Sequence, residues 1–503
     1  MPGRFIKPEN SAMEDSMTKK VNAAANSRKG GKASKGKLYA AILAGGVGSR
    51  FWPLSRETTP KQLLKVVGDE SLLRATIRRL HPLVPAERAL IVTSAKQAEL
   101  IRLHLMYDGK AMNPGYVIEP EGKNTAPAIG LAAVELYRKD PGAVMAVLPS
   151  DHIIEDSGAF RRALRAGHMA ALDGHLVTFG IKPTSPATGF GYIKAGAGRL
   201  KKIDGFEVRK VGSFVEKPDI KKARAYLKAG GYFWNSGILL CRVDRILEEF
   251  KAHMPGLYGE LAGVLDGKDV AGAYERAEAV SIDYGILEKA DDVVVIPASF
   301  PWSDMGTWSS FSDAVRPDGQ GNIIRGRVVD IGSKDSIIFG CDRAVATIGL
   351  DNVILVDTPD ATLVCPKERA QEVKEVVGLL KKKGYTEHEY HRTVERPWGS
   401  YTLLEKGNGY KIKKICVGPR RRLSLQAHGR RSEHWVVIAG MARVQRGEET
   451  VDVAVNQSTY IPRGVKHRLE NPLDEMLEII EVQTGGYVEE DDIVRFDDDF
   501  ERR

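Results

Sequence analysis

The sequence predicts three folded units in series. They are an α/β unit with a mixed, mainly parallel, Rossmann-like sheet, a small β-helix module, and a C-terminal all-β jelly roll. Three observations carry this. From Leu38 to about residue 315, short β-rich runs alternate with longer helical ones, the pattern of a mainly parallel sheet covered by helices. From there to Cys365, short apolar runs are separated by Gly, Asp and Asn, which suits stacked short strands. From Pro397 onward further short runs follow without a helical period, as in a jelly roll of about 100 residues.

Taken in order, Ala40–Leu43, Ala89–Thr93, Ala143–Leu148 and Leu176–Gly180 read as strands of the first unit. Ser71–Leu80, Lys96–Leu105, Ala126–Lys139 and Ala159–Ala171 read as its helices. In the middle unit, Asn322–Ile324, Val328–Ile331, Ser336–Phe339, Val345–Ile348, Val353–Val356 and Thr362–Cys365 are the short strands. A helix over Lys367–Lys383 follows, ending on Lys381-Lys382-Lys383-Gly384, with cations at the negative dipole end and Gly at the cap. Thr386–Arg392 reads as a polar linker. The jelly-roll strands are expected at Ser400–Glu405, Tyr410–Val417, Leu423–Leu425, His434–Ile438, Ala442–Gln445, Ser458–Ile461, His467–Glu470 and Met476–Gln483. The acidic stretch Glu489–Glu501 is expected on the surface. The expected divisions are 1–37, 38–315, 316–390 and 391–503.

Charge separates the first division from the rest. The chain of 503 residues carries a formal charge of +8, of which residues 1–37 supply +6. The basic character is therefore a property of the tail, and the body is not expected to bind nucleic acid. The tail is rich in Gly, Ser, Ala, Asn and Lys, cannot bury enough apolar surface to order itself, and lacks the apolar core of a signal peptide. Met13 and Met17 leave the start site open. No run of about 18 apolar residues predicts a membrane helix. Cys241, Cys341, Cys365 and Cys416 are far apart, and the expectation is reduced thiols in a cytoplasmic protein. Homo-oligomerisation is left open.

The most informative motif is LAGGVGSRFWPLSRETTPKQ, Leu43–Gln62, directly after the first strand. Gly45, Gly46 and Gly48 let backbone N–H groups approach a phosphate, and Arg50, Arg56 and Lys61 can neutralise its charge. It is neither a Walker A loop nor a dinucleotide fingerprint. Asp151, in LPSDHII, and Asp304, in FPWSDMGTW, are acids on separate loops of the same unit, and two such carboxylates suit Mg²⁺ on a triphosphate. TGFGYI (Thr188–Ile193), FVEKP (Phe214–Pro218) and YFWNSGIL (Tyr232–Leu239) add Gly189, Glu216, Lys217 and Asn235 on turns and an aromatic loop that suits a hexose. In the jelly roll, LSLQAHGRRSEHW places Gln426 and His428 two apart on one strand face, with Glu433 across a turn and His467 on a later strand. That mixed N/O set suits Zn²⁺, Fe²⁺, Mn²⁺ or Co²⁺. His434 reads as structural. Arg420, Arg421 and Arg422 offer a charge run for a sugar phosphate, although solvated surface is the commoner fate of such a run.

LAGGVGSRFWPLSRETTPKQ, EPEGKNTAPAI, LPSDHII, TGFGYI, FVEKP, FWNSGI and SIDYGILEK occur in order over about residues 38–390. Together they resemble bacterial mannose-1-phosphate guanylyltransferases, a branch of the sugar-phosphate nucleotidylyltransferases. The QxHxxRxEHW pattern of the jelly roll resembles the cupin domain of type II phosphomannose isomerases. The resemblance implies a guanylyl transfer from GTP to α-D-mannose 1-phosphate, giving GDP-mannose and pyrophosphate for polysaccharide biosynthesis. It implies that Gly45, Gly46, Arg50 and Lys61 handle the triphosphate and that Asp151 and Asp304 hold Mg²⁺. Glu216, Lys217 and Asn235 would hold the sugar phosphate. Gln426, His428, Glu433 and His467 would hold a divalent transition metal such as Zn²⁺. A bifunctional enzyme that also interconverts mannose 6-phosphate and fructose 6-phosphate is the alternative, and a sugar-nucleotide-binding regulator is a third. Phe51 stands where relatives often carry Leu. Gly429 and Arg430 stand where many carry His, which leaves isomerase turnover open while the ligand positions are intact.

Overall fold

In the computed structural model, residues 36–107, 110–298 and 300–499 are described. The expectation for the tail falls almost entirely outside them. Among the described residues the first unit is a nine-stranded sheet. Its left half comprises β1 (Leu38–Leu43), β2 (Ala89–Ser94), β3 (Gly115–Glu119) and β4 (Val144–Pro149). These pair in parallel in the order β3-β2-β1-β4. A two-residue strand, β5 (Ile153–Ile154), lies outside the sheet. The right half contains β6 (Leu176–Ile181), β7 (Tyr192–Ile203), β8 (Phe206–Val215), β9 (Tyr232–Arg242) and β10 (Val293–Pro297). β9 runs antiparallel between β4 and β6, and β8 runs antiparallel between β10 and β7. The remaining strands share one direction, so the sheet is mixed and mainly parallel as expected. One local expectation is corrected. FWNSGI is part of strand β9 and not an aromatic loop, because it pairs antiparallel with β6 on one side and β7 on the other.

Alternate residues of each central strand feed two separate cores, which is why these strands read as nearly continuous apolar runs. Ala41, Met145, Val147, Leu239 and Val295 point into one core, built with Thr125–Lys139, Val243–His253 and Pro255–Leu265. Ala40, Ile42, Ala146, Leu148 and Ile296 point into the other, built with Leu72–Leu80, Ala95–Tyr107 and Ser157–Leu172. Of the six helices just named, at least three carry side-chain caps at their starts. Ser71 accepts from the Arg74 N–H, Asp156 from Ala159, and Asn124 from Thr125.

The middle unit is a four-stranded stack, with Ile323–Ile331 and Ile337–Ile348 parallel, then Val353–Asp357 parallel and Thr362–Pro366 antiparallel. Ile323, Ile337 and Ile354 lie in register as a buried ladder. The expected helix begins as a 3₁₀ turn over Lys367–Glu372 and is α-helical over Val373–Lys383, with Gly384 at φ +72° as its cap. This module does not stand apart. Its isoleucines share one core with Phe51 and Trp52 of the glycine-rich segment and with Met305, Trp308 and Phe311 beyond Asp304.

The jelly roll consists of a six-stranded and a five-stranded sheet. Three of its strands were not expected: Thr393–Arg396, Glu449–Ala454 and Ile493–Asp497. The strand expected at Leu423–Leu425 lies at Leu425–His428. Ile493–Asp497 pairs with it, and residues 489–499 are exposed or half-buried, so the acidic C-terminal stretch lies on the surface as expected, in part as an edge strand. Thr386–Arg392 is likewise not a free linker. Its backbone carbonyls accept from Trp52 Nε1, the Glu57 N–H and the Thr58 N–H, and His391 Nε2 lies 2.9 Å from the Leu54 carbonyl oxygen. The chain leaves the middle unit strapped along the glycine-rich segment of the first.

Candidate active site

The carboxyl ends of β1, β2, β3 and β4 open into one cleft of about 460 Å³, lined by Gly45, Gly46, Gly48, Lys61, Gln62, Glu119, Asn124, Thr125, Ser150 and Asp151 among others. Ligands of such sheets bind at this edge. The glycine-rich segment turns there because Gly48 adopts φ +68°, and a Cβ on Gly48 would collide with the Lys61 side chain. Gln62 donates to the Ala44 carbonyl at 3.1 Å and so anchors the far end of the segment to the end of β1.

Lys61 joins the two expected acids. Its ammonium lies 2.7 Å from Asp151 Oδ2 and donates to the Asp304 carbonyl at 3.0 Å, with its side chain 6% exposed. Burial pushes the Asp151 carboxyl up, but the charge of Lys61, with that of His152 and the Lys61 hydrogen bond, outweighs it and holds Asp151 below its ordinary value. The two acids are neighbours because β5 pairs antiparallel with β11 (Trp302–Ser303), setting Ser303 opposite Ile153. Asp304 Oδ1 accepts from the Gly306 N–H at 2.9 Å, and its other oxygen fills the space a Cβ on Gly306 would need. Trp308 stacks 4.9 Å from Phe51 and donates to the Trp52 carbonyl, pinning the Asp304 loop to the segment that carries Arg50. Anionic oxygens on these adjoining loops are the hard donors Mg²⁺ prefers.

Arg50 is exposed on the 3₁₀ turn Ser49–Phe51. Arg56 does not face the cleft. It is buried, donates to the Pro53 carbonyl, and pairs with Asp360 of the β-helix module at 3.2 Å. The structure thus gives Arg56 a place at the seam and not on a phosphate. Sequence reasoning also missed Glu119, whose carboxyl is pushed up by burial while it accepts from the Tyr274 hydroxyl at 3.2 Å. EPEGKNTAPAI held the signal, because Glu119, Gly122, Asn124 and Thr125 of that motif all line the cleft.

The second group lies where β9 enters the sheet. Asn235 Oδ1 accepts from Thr178 at 3.0 Å and its Nδ2 donates to Asp283 at 3.0 Å. Burial, and then the neighbouring Glu216, push Asp283 up to about 6. Glu216 pairs with Lys217 at 2.7 Å, and the absence of a side chain on Gly191 lets Glu216 approach Asn235. Gly189 and Lys217 are exposed, as a rim should be. Asp283 carried no motif of its own beyond SIDYGILEK.

In the jelly roll, His428, Glu433 and His467 converge with each side chain 1% exposed. Glu433 Oε1 lies 3.1 Å from His428 Nε2, and Oε2 lies 3.7 Å from His467 Nε2. His467 Nδ1 is 2.8 Å from the Val465 carbonyl oxygen, so it carries the proton there and turns Nε2 inward as a bare lone pair. That Nε2 is buried without a hydrogen-bond partner, as is His428 Nδ1. Orphaned imidazole nitrogens around a carboxylate fit a divalent metal. Burial pushes Glu433 up, but His428, His467 and Arg431 hold it far below its ordinary value. Gln426 pairs in register with His467 across the sheet, and its Oε1 accepts from Ser424. His434 points the other way, exposed and against the Tyr460 ring at 4.6 Å. The arginine run is engaged elsewhere. Arg420 pairs with Asp474, Arg422 with Asp499, and Arg421 donates to the Pro397 carbonyl.

Known proteins match this arrangement across all three units. Residues 39–320 match the nucleotidyl transferase family, 326–380 a mannose-phosphate isomerase/GMP-like β-helix domain, and 383–498 the mannose-6-phosphate isomerase C-terminal domain. The xanthan biosynthesis protein XanB of Xanthomonas campestris pv. campestris (strain B100) is 45% identical, over 92% of this chain and 98% of that protein. The mannose-1-phosphate guanylyltransferase of Escherichia coli (strain K12) is 40% identical, over 93% of this chain and 100% of that protein. A crystal structure from Thermus thermophilus, described as a mannose-1-phosphate geranyltransferase, superposes with a TM-score of 0.62 at 35% identity. It covers 69% of this chain and 99% of its own. The chain belongs to the family of nucleotidyl transferases that pair a mannose-1-phosphate guanylyltransferase unit with a type II mannose-6-phosphate isomerase domain.

Proposed function

We propose that this enzyme transfers a guanylyl group from GTP to α-D-mannose 1-phosphate, giving GDP-mannose and pyrophosphate for polysaccharide biosynthesis. The observation that carries the reading is the Lys61 ammonium held between Asp151 and the Asp304 loop beneath a glycine-lined cleft. In this reading a phosphate oxygen of the sugar attacks the α-phosphorus, and the bond to the bridging oxygen of the pyrophosphate breaks. Backbone N–H groups of Gly45, Gly46 and Gly48 receive the triphosphate, while Arg50 and Lys61 stabilise charge as it moves onto the leaving group. Asp151 and Asp304 would hold Mg²⁺, which when bound neutralises the phosphates. Gly189, Glu216, Lys217 and Asn235 orient the mannose 1-phosphate. Asp151→Asn or Asp304→Asn should lower transfer by at least about a hundredfold, with the barrel metal retained; Asp151→Asn, which takes the anion from buried Lys61, should also lower the melting temperature. Pyrophosphate release from GTP plus mannose 1-phosphate measures it, and an undiminished rate in both variants would remove this assignment.

A second activity is favoured by the orphaned histidine nitrogens of the barrel. Gln426, His428, Glu433 and His467 would hold a divalent transition metal such as Zn²⁺, which when bound polarises a carbonyl. The barrel would then interconvert fructose 6-phosphate and mannose 6-phosphate by moving a proton between C1 and C2. Turnover of fructose 6-phosphate tests it, whereas binding without turnover would favour a sugar-phosphate sensor.

A further inference from the structure

Two lysines inside the barrel belong to neither site. Lys411 and Lys413 stand two apart on Tyr410–Val417, so both point inward, in line with the buried Ile415 and Val417. Their side chains are only 7% and 6% exposed. A buried ammonium requires an anion. Here the anions come from the end of the chain. Glu489 Oε2 lies 3.1 Å from Lys411 Nζ, and Glu490 pairs with Lys413. Both glutamates stay nearly half exposed, at 42% and 44%.

The acids lie on a short turn, Glu490–Asp492, that buries none of its own residues. Polar contacts hold it. Arg431 Nη1 donates to the Glu489 carbonyl at 2.8 Å, and the Arg430 N–H donates to Asp492 at 3.0 Å. The interior behind the turn leads to the triad in two steps. Lys413 lies opposite Glu481 across the sheet, and Gln483 donates both to Glu481 Oε2 at 3.0 Å and to Glu433 Oε1 at 3.1 Å. The surface arginines that sequence alone offered for an anion are already paired.

We infer that Lys411 and Lys413 form the phosphate end of a sugar-phosphate site whose other end is the His428–Glu433–His467 triad, with Glu489 and Glu490 as a displaceable carboxylate cap. The inference rests on the barrel's second activity. A hexose 6-phosphate suits both ends, presenting a dianion to the lysines and its C1 and C2 oxygens to the triad. Charge-assisted bonds from two ammonium groups to the phosphate replace those to the two carboxylates. The half-exposed glutamates return to water with little loss, and the lysines never lie unpaired.

The test uses the full-length, metal-loaded protein with its nucleotide site saturated by GDP-mannose. Calorimetric titration with fructose 6-phosphate should show binding, and fructose should show none. The K411M/K413M variant should lose affinity at least tenfold, and Lys413→Arg should keep most of it. The E489Q/E490Q variant should gain affinity severalfold. Unchanged metal content and guanylyl transfer in each variant establish that the fold is intact. Equal affinity of the wild type and the lysine variant would overturn the site, as would absence of binding to both the wild type and the cap variant. No gain in E489Q/E490Q would overturn the cap. Lysine-dependent binding without turnover would remove the isomerase reading and leave the site standing. Turnover untouched in the lysine variant would do the reverse.

Discussion

At Gly48 a single methyl group would meet the side chain of Lys61, on a backbone already at φ +68°. Gly48→Ala should therefore lose about 1–3 kcal/mol of stability. It should also lower guanylyl transfer at least tenfold, since Lys61 cannot keep its place between the two acids. Denaturation curves and steady-state rates check both. Asp283 supplies a pH signature. Its folded value of about 6 lies above the ordinary carboxylate value, so its stabilising contribution is complete below about pH 4 and is lost as pH rises through 6. Asp283→Asn can still accept from Asn235 but has no charge to bury. Its melting temperature relative to wild type should rise between pH 4.5 and pH 7. A difference independent of pH would show that Asp283 keeps an ordinary value.

Among the elements, the seam between the glycine-rich segment and the β-helix module is the most consequential. Burial pushes Asp360 up, but His391 and Arg56 outweigh it and bring it down to about 2. The folded value lies below the unfolded one, so this contribution is present above about pH 4 and is lost as pH falls toward 2. Asp360→Asn should cost roughly 2 kcal/mol at pH 7 and raise the KM for GTP, with urea denaturation and initial rates as the measurements. Elements of this kind differ in how legible they are. The helices over Leu72–Leu80 and Ser157–Leu172 were readable from their apolar pattern, and the Gly384 stop because the absence of a side chain makes that cap. The strap over Thr386–Arg392 was not, because it binds mainly through carbonyl oxygens that every residue carries. Strand β9 was mistaken for a loop over FWNSGI for a related reason. Its neighbours β6 and β7, and not its own composition, make it a strand.

Across the whole molecule, the two chemistries stand on separate cores. His467→Ala should empty the barrel of metal and abolish sugar-phosphate isomerisation, while guanylyl transfer stays within about twofold of wild type. Metal analysis with both assays on one preparation measures this, and a parallel fall in transfer would show that the units depend on each other. The order of units, the glycine-rich loop and the His428–Glu433–His467 set were legible because each is carried by residue type and spacing. What spacing could not give was pairing across the chain. Arg56 belongs to Asp360, Lys61 to Asp151, and the buried lysines of the barrel to the acidic end. Those partners are far apart in sequence and close only once the cores have formed.

The strap that lies along Glu57 and Thr58 also bears on how the two halves communicate. It gains two backbone hydrogen bonds only while the phosphate loop is formed, and the loop gains them only while the strap is docked. Order in one is therefore a condition for order in the other, and the influence is equal in both directions by thermodynamic reciprocity. A nucleotide that quiets the loop restrains the tether of the barrel, and a cut within 386–392 loosens the grip on nucleotide without touching a single residue of the cleft.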